Sequence, residues 1–335
     1  MLNSPQNQFF KNLENNRKIK TKITDTHITL AHGSGGKAMR DLIDDIFIST
    51  FNKHNISQLE DQAKFDLANL IQLGDKLALT TDSYVVDPLF FPGSDIGELA
   101  VNGTVNDLAV GGAKPLYLTC SVILEEGLSI EKLRKVAQLL IKTTLIRVIA
   151  PNICISASNI KPGDAIIING EIGNHGTAIL IARGELALES DIKSDCQPLH
   201  ELVAKILDVC PEIHAMRDAT RGGLATVLNE FALTSNVGIC LEEESIPIRE
   251  EVKGVCEILG LEPFYLANEG KLVVVVASEN AEKVLSVMKS HPTAKDAAII
   301  GKATNSSPGI VSLKTSFGAE RIIDMLVGEQ LPRIC

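Results

Sequence analysis

No stretch of the 335-residue sequence stays apolar long enough to cross a bilayer, and its first residues, rich in Asn, Lys and Gln, lack the apolar run of a secretion signal. A cytoplasmic protein is expected. An excess of positive charge is missing too: the formal net charge is −10, which argues against general attraction to nucleic acid or an anionic membrane. The seven cysteines, at 120, 154, 196, 210, 240, 256 and 335, are an odd number and contain no CxxC pair, so neither a disulfide framework nor a zinc cage is indicated. What the chain does have is apolar material, 45% hydrophobic against 22% charged, enough for two ordinary cores.

Residues 1–26 are polar and basic, with Phe9 and Phe10 the conspicuous apolar pair, and read as a poorly ordered N-terminal arm. A short strand pattern at Ile28-Thr29-Leu30-Ala31 then leads through His32-Gly33-Ser34-Gly35-Gly36-Lys37 into an apolar-periodic helix containing Leu42, Ile43, Ile46 and Phe47. Strand, glycine loop and helix can cradle a phosphate, because glycines let backbone N–H groups approach an anion at the positive end of a helix. A Walker A motif does not fit, since Ala31 stands at its first glycine and Ala38 at its magnesium-binding hydroxyl. The spacing Gly33-x-Gly35-x-x-Ala38 fits a dinucleotide fingerprint but lacks its acidic partner on a second strand, which leaves a nicotinamide-dependent oxidoreductase as an alternative. A plain flexible turn is the other.

An apolar run from Leu77 ends at Thr81-Asp82-Ser83 and reads as a strand carrying a carboxylate to its end, where ligands gather in α/β proteins. The helix expected after Asp95 holds Asn106 and Asp107 amid Val105, Leu108, Ala109 and Val110. A carboxylate buried there needs a partner; a metal ion bridging phosphates would supply one, and placement on an exposed stripe would remove the need. A further strand is expected over 115–124, then a helix capped by Ser129. The polar, Pro/Gly-containing segment 157–164 reads as a linker, giving domains of 27–157 and 158–328. In the second half, Asp218-Ala219-Thr220-Arg221-Gly222-Gly223 opens a helix with an arginine and two glycines, again suited to an anion, and Asn268-Glu269-Gly270-Lys271 precedes the apolar strand 272–276. The sequence ends at Pro332-Arg333-Ile334-Cys335, and a thiol there, with no packing role to fill, is a candidate covalent carrier.

Together, His32-Gly33-Ser34-Gly35-Gly36, Thr81-Asp82-Ser83, Asn106-Asp107 with Gly112-Ala113, Asp218 through Gly223, Asn268 through Lys271 and the Pro-Arg-Ile-Cys end resemble the HypE family of hydrogenase maturation factors, within the aminoimidazole ribonucleotide synthetase superfamily. The likeness spans residue 27 to the end. It implies an α+β, two-domain aminoimidazole ribonucleotide synthetase-like fold with a mobile tail at 329–335, and a homodimer. It also implies a carbamoyl dehydratase: a HypF-like partner carbamoylates Cys335, ATP with Mg2+ drives dehydration to a thiocyanate, and a HypC/HypD-like complex takes the cyanide onto iron for a nickel-iron hydrogenase. In this scheme Gly33, Ser34, Gly35, Gly36, Asn106, Thr220, Arg221, Gly222 and Gly223 bind the nucleotide, Asp82, Asp107 and Asp218 hold the metal, and Glu269 removes the proton. Seven residues from Glu329 onward extend about 23 Å, enough to carry the thiol between an internal site and an external partner.

One departure from the family pattern matters. Members carry a strand ending in Gly-Asp-Thr-Lys between the helix ending near Thr144 and the linker, and the segment 141–152 here contains no such motif. The first domain is thus expected to be shortened near 144–150. A deletion leaving a carrier or scaffold without dehydratase activity, a compensating rearrangement and a gap in the sequence are all compatible with it.

Overall fold

The computed structural model describes residues 22–51, 68, 76–113, 115–142, 153–184 and 190–325, and the expectations for residues 1–21 and for the tail with Cys335 fall outside these. The chain groups into two compact units, one drawing on residues up to Phe65 and on Thr119–Lys142, the other on Asp66–Leu118 and residues from Thr143 onward. The helix at 96–110 therefore groups with the second half of the sequence.

In the first unit, helix α1 (Lys37–Leu42) continues into a π-helical stretch, Ile43–Ile48, that ends in a last turn at Ser49–Phe51. Ile28, Leu42 and Ile46 bury themselves with Ile130, Leu133 and Ala137, which share one face of a later helix, Ile130–Lys142. The ion pair Arg134–Asp45, at 2.7 Å, ties the two helical segments together, and the guanidinium bond holds the Asp45 carboxyl below its ordinary pKa. The strand expected at 28–31 is not formed. Instead Leu30–Gly33 is a 3-10 turn, because His32 Nδ1 takes hydrogen bonds from the backbone N–H and hydroxyl of Thr29, both at 3.0 Å, closing a capping box.

The second unit begins its regular structure with a hairpin, β1 (Phe90–Phe91) and β2 (Ser94–Asp95), and helix α2 (Ile96–Val110). Asp95 caps α2, its Oδ1 accepting from Gly97 N at 2.7 Å and Glu98 N at 3.2 Å. With the first unit's Ile130–Lys142 as α3, the chain continues β3 (Ala165–Ile168), α4 (Asn174–Ala182), α5 (His200–Val209), β4 (Ala215–Asp218), α6 (Gly223–Ser235), β5 (Gly238–Glu242), α7 (Glu250–Leu259), β6 (Leu272–Val276), α8 (Ser278–Ser290), β7 (Ala298–Thr304), β8 (Val311–Lys314) and β9 (Glu320–Ile322). These form a seven-stranded sheet of order β4-β6-β3-β7-β5-β8-β9, antiparallel except for β5 with β8.

The central strands β3 and β6 are buried on both faces, which explains their unbroken Ile and Val runs in an antiparallel sheet. Alternation sorts their side chains. Ile166, Ile168, Val273 and Val275 face Leu224, Leu228 and Phe231 of α6, while Ile167, Val274 and Val276 face Leu202 and Ile206 of α5 and Val284 and Met288 of α8.

The strands expected at 77–83 and 115–124 are absent. Both segments carry no regular structure, and Leu79 and Ile123 stand 87% and 98% exposed. A strand persists only when its N–H and C=O groups are paired across a ladder, and none of the described strands pairs with either segment.

Replacing Ile167, fully buried between β3 and α5, by Ala should cost about 2–5 kcal/mol of stability. Ile258→Ala, at a site 63% exposed on α7, should cost under about 0.5 kcal/mol. Urea unfolding of the two variants checks the contrast.

Candidate functional site

Three stretches converge at one end of the sheet in the second unit: the extended segment 78–84, the last turn of α2, and the loop that leaves β4. Two adjoining cavities lie there, of about 500 and 330 Å3, sharing Asp107, Asp218, Thr220 and Arg221. The larger is completed by Ala78, Thr80, Gly111, Arg217, Thr226 and Glu230 among others, with Arg217 and Glu230 ion-paired. Asp82, Ser83, Tyr84 and Glu269 complete the smaller.

Asp218 ends β4 with only 7% of its surface exposed, and its Oδ2 has no hydrogen-bond partner. Burial, reinforced by the negative Asp107, pushes its pKa up to about 7. Asp107, near the end of α2, is also raised by burial; a 3.2 Å hydrogen bond from the Thr80 hydroxyl offsets this in part, and Asp82 adds repulsion. Asp82 sits in the extended segment rather than at the end of a strand, and the Tyr84 hydroxyl donates to its Oδ2 at 2.7 Å. Tyr84 in turn occupies the space a side chain at Gly103 would need: a Cβ there would collide with its hydroxyl.

Behind the smaller cavity lies a buried polar brace. Lys271 and Asp195, each under 10% exposed at the side chain, form an ion pair at 3.2 Å, and Asp195 Oδ1 also accepts from Glu269 N at 3.3 Å. Asn268 Oδ1 accepts from Gly173 N at 2.7 Å while its Nδ2 donates to Ala219 O at 2.9 Å. Asn169 bonds Gly270 O and Leu272 N on either side of the same loop. Every flank of Asn268-Glu269-Gly270-Lys271 is thus held, and Glu269, 2% exposed, is fixed against the cavity.

The expected site residues divide accordingly. Asp82, Asp107, Asp218, Thr220, Arg221 and Glu269 line the cavities. Asn106 does not: its Oδ1 accepts from Leu199 N at 2.7 Å and its Nδ2 donates to Gln197 O and Glu269 O, so both ends of the amide are spent on backbone. Gly222 and Gly223 serve the turn into α6. Gly223 has φ +62, and a Cβ there would strike the Phe264 and Leu266 carbonyl oxygens, so the glycine is required for this packing. Gly33, Ser34, Gly35 and Gly36 belong to the first unit, where Gly36 precedes α1 and the 3-10 turn replaces the strand of a dinucleotide fingerprint. Cys335 lies outside the described residues.

Among the described residues no three His, Cys, Asp or Glu side chains are close enough together to hold a metal ion unaided, so the three aspartates do not form a ready-made cage. The donor set still suits magnesium, which keeps several waters and takes one or two carboxylates with substrate phosphate oxygens. An orphaned carboxylate oxygen on a raised Asp218 is the kind of group a hard cation relieves. Sequence reasoning missed Tyr84, Asp195 and Lys271 as parts of the site. Lys271 stands in the motif before the apolar strand but without a role of its own; Asp195 carried no local signal.

Family comparison adds what geometry leaves open. The C-terminal domain of AIR synthase related proteins matches residues 161–314 and the N-terminal domain matches 61–143. The carbamoyl dehydratase HypE of Rhodobacter capsulatus is 48% identical over 341 residues, covering 93% of this chain and 99% of the relative. The chain belongs to the HypE family. A HypE crystal structure in complex with ATP is similar at a TM-score of 0.83 and 40% identity, covering 91% of this chain and 99% of that one. A HypE–HypF complex structure matches at a TM-score of 0.70 and 39% identity, covering 85% and 99%. Membership makes the α+β, two-domain fold and the hydrogenase maturation setting secure.

The raised Asp218 gives a pH test. Its unfolded-state carboxyl loses its proton near pH 4 and the folded one near 7, so between them the folded protein binds more protons and its stability falls as pH rises. Asp218→Asn removes that slope. The variant should gain on the parent from pH 5 to pH 8 by on the order of 1–4 kcal/mol, read from urea unfolding; parallel pH profiles would refute the shift.

Proposed function

We propose that this chain dehydrates an S-carbamoyl group on Cys335 to a thiocyanate at the expense of ATP, as the cyanide source for a nickel-iron hydrogenase. The observation that carries the proposal is the pair of cavities sharing one acidic wall, with Glu269 on the smaller side alone. The larger has the volume for a nucleotide, and the smaller fits a short thiocarbamate. Similarity to a HypE that binds ATP supports the nucleotide, and similarity to a HypE bound to HypF supports a HypF-like carbamoyl donor.

Chemically, the amide oxygen of R–S–C(=O)NH2 cannot leave as oxide. Its attack on the γ-phosphorus of ATP releases ADP and one nitrogen proton and gives R–S–C(OPO3)=NH. Loss of the second nitrogen proton and of phosphate then leaves R–S–C≡N. Glu269, pinned by the Asp195 bond to its backbone N–H and by Asn106 on its carbonyl, would take a nitrogen proton. Arg221, at the shared wall, would face the transferring phosphoryl group. Tyr84 keeps Asp82 turned to the cavity. Asp107 and Asp218, with Asp82, would hold magnesium, which supplies neutralisation of triphosphate charge. The same proposal takes the protein as a cytoplasmic homodimer delivering cyanide to a HypC/HypD-like acceptor; no described helix is long and apolar enough to cross a membrane.

A second possibility, a carrier that accepts the carbamoyl group without dehydrating it, is favoured by the missing Gly-Asp-Thr-Lys motif. The R. capsulatus match runs over 341 residues yet takes up 93% of 335, that is about 312, which leaves about 29 positions of the alignment without a counterpart here. Intact-mass measurement after incubation with a carbamoylating partner, ATP and Mg2+ separates the two. Dehydratase activity gives a carbamoyl adduct that then loses one water, whereas a carrier keeps the adduct. Deleting Cys335 should abolish both changes, and an adduct that persists without Cys335 contradicts the assignment of the thiol.

A further inference from the structure

The described chain ends just after β9, and its exit is clamped. Asn229, buried in α6, donates through Nδ2 to Ile323 O at 2.9 Å as well as to Ala225 O of its own helix, also at 2.9 Å. Ile323 N donates to Val311 O at 2.9 Å, so both backbone groups of that residue are engaged. Two residues earlier Arg321 grips both carboxylate oxygens of Glu262, at 2.8 and 2.9 Å, and its guanidinium carbon lies 5.6 Å from the Phe264 ring centroid.

The place of this clamp matters more than its strength. Thr226 and Glu230, which line the larger cavity, flank Asn229 on the same helix, within about 4.5 Å along its axis at 1.5 Å per residue. Glu262 and Phe264 begin the loop that runs on to Glu269. Residues 326–335 can extend at most about 33–36 Å, so a thiol at 335 is tethered from a root bonded to the helix that carries Thr226 and Glu230.

We propose that Asn229 is a positioning residue that pins the root of the Cys335 tail to the cavity-lining helix, setting the local concentration of the thiocarbamate in the site. The inference rests on the tail carrying the substrate, as proposed above. An interior asparagine is a poor choice for helix stability; an amide is required here because Ile323 O, buried beside α6, needs a donor. Freeing β9 would add about five residues to a ten-residue tether, and effective concentration falls as the −3/2 power of length, so the loss is roughly twofold.

The test compares delivery in two formats. In the first, the carbamoylated full-length protein dehydrates its own tail in a single turnover with ATP and Mg2+. In the second, the protein lacking Cys335 acts on a free S-carbamoyl Leu-Pro-Arg-Ile-Cys peptide. Asn229→Ala should slow the first reaction roughly twofold and leave the second unchanged. Asn229→His, which keeps an N–H donor, should restore the first rate, and inserting five Gly/Ser residues after Met325 with Asn229 intact should reproduce the loss. Should Asn229→Ala not fold, Arg321→Gln loosens the same exit at a half-buried site and should give the same one-sided loss. Equal slowing in both formats, or none in either, overturns the proposal. If the parent protein dehydrates in neither format, the proposed function fails, and amide exchange decides the clamp separately: faster exchange at Ile323 in Asn229→Ala upholds it, and unchanged exchange overturns it.

Discussion

A carboxylate held out of water beside others of like charge, Asp218, is the constraint on which the site depends. Asp218 closes β4 and Asp107 rides near the end of α2, where its charge raises the cost of ionising Asp218, and Asp82 adds to both. In a sheet built only for stability such an arrangement would be replaced by apolar groups, since a buried, unpaired charge costs several kcal/mol. Its place next to Arg221 and two confluent cavities suits the phosphate-bound dication of the proposed function. The stability that offsets it comes from the doubly buried centre of the sheet, where β3 and β6 expose almost nothing.

Rigid support surrounds this wall. The loop 268–271 hangs on side-chain amides and the Lys271–Asp195 pair, each of which satisfies backbone groups that would otherwise be buried without partners. Asn106 belongs to that support and not to the cavity surface. Glu269 owes its fixed backbone to Asp195 and Asn106, and both lie more than seventy residues from it in sequence.

Much of this could be read in advance where the signal is local. The apolar run 272–276 reads as a strand and forms β6, whereas the glycines before α6, read as suited to an anion, serve a close approach to the Phe264 and Leu266 carbonyls. Asp107, Asp218 and Glu269 were found through motifs, and the cavities gather them. Asn106 bonds backbone in this structure, and a polar side chain in an apolar helix signals a partner without saying whether that partner is ligand or backbone. The segments 77–83 and 115–124 have strand composition, but pairing is a long-range property, and nothing within either segment reveals whether a neighbouring strand exists. The 3-10 turn at Leu30–Gly33 turned on one contact, His32 to Thr29, that outweighs a four-residue strand tendency.

The most direct test of the central claim is calorimetric titration of the protein with Mg2+ and ATP at pH 7 in two buffers of different ionisation enthalpy. With Asp218 poised near pH 7, a cation that engages the acidic wall must displace its proton, so binding should release about half a proton and the observed enthalpies should differ between buffers accordingly. Asp218→Asn should remove that difference. Identical enthalpies in the two buffers for the unaltered protein would contradict the account, because the buried carboxylates would then not be what the nucleotide and its metal engage.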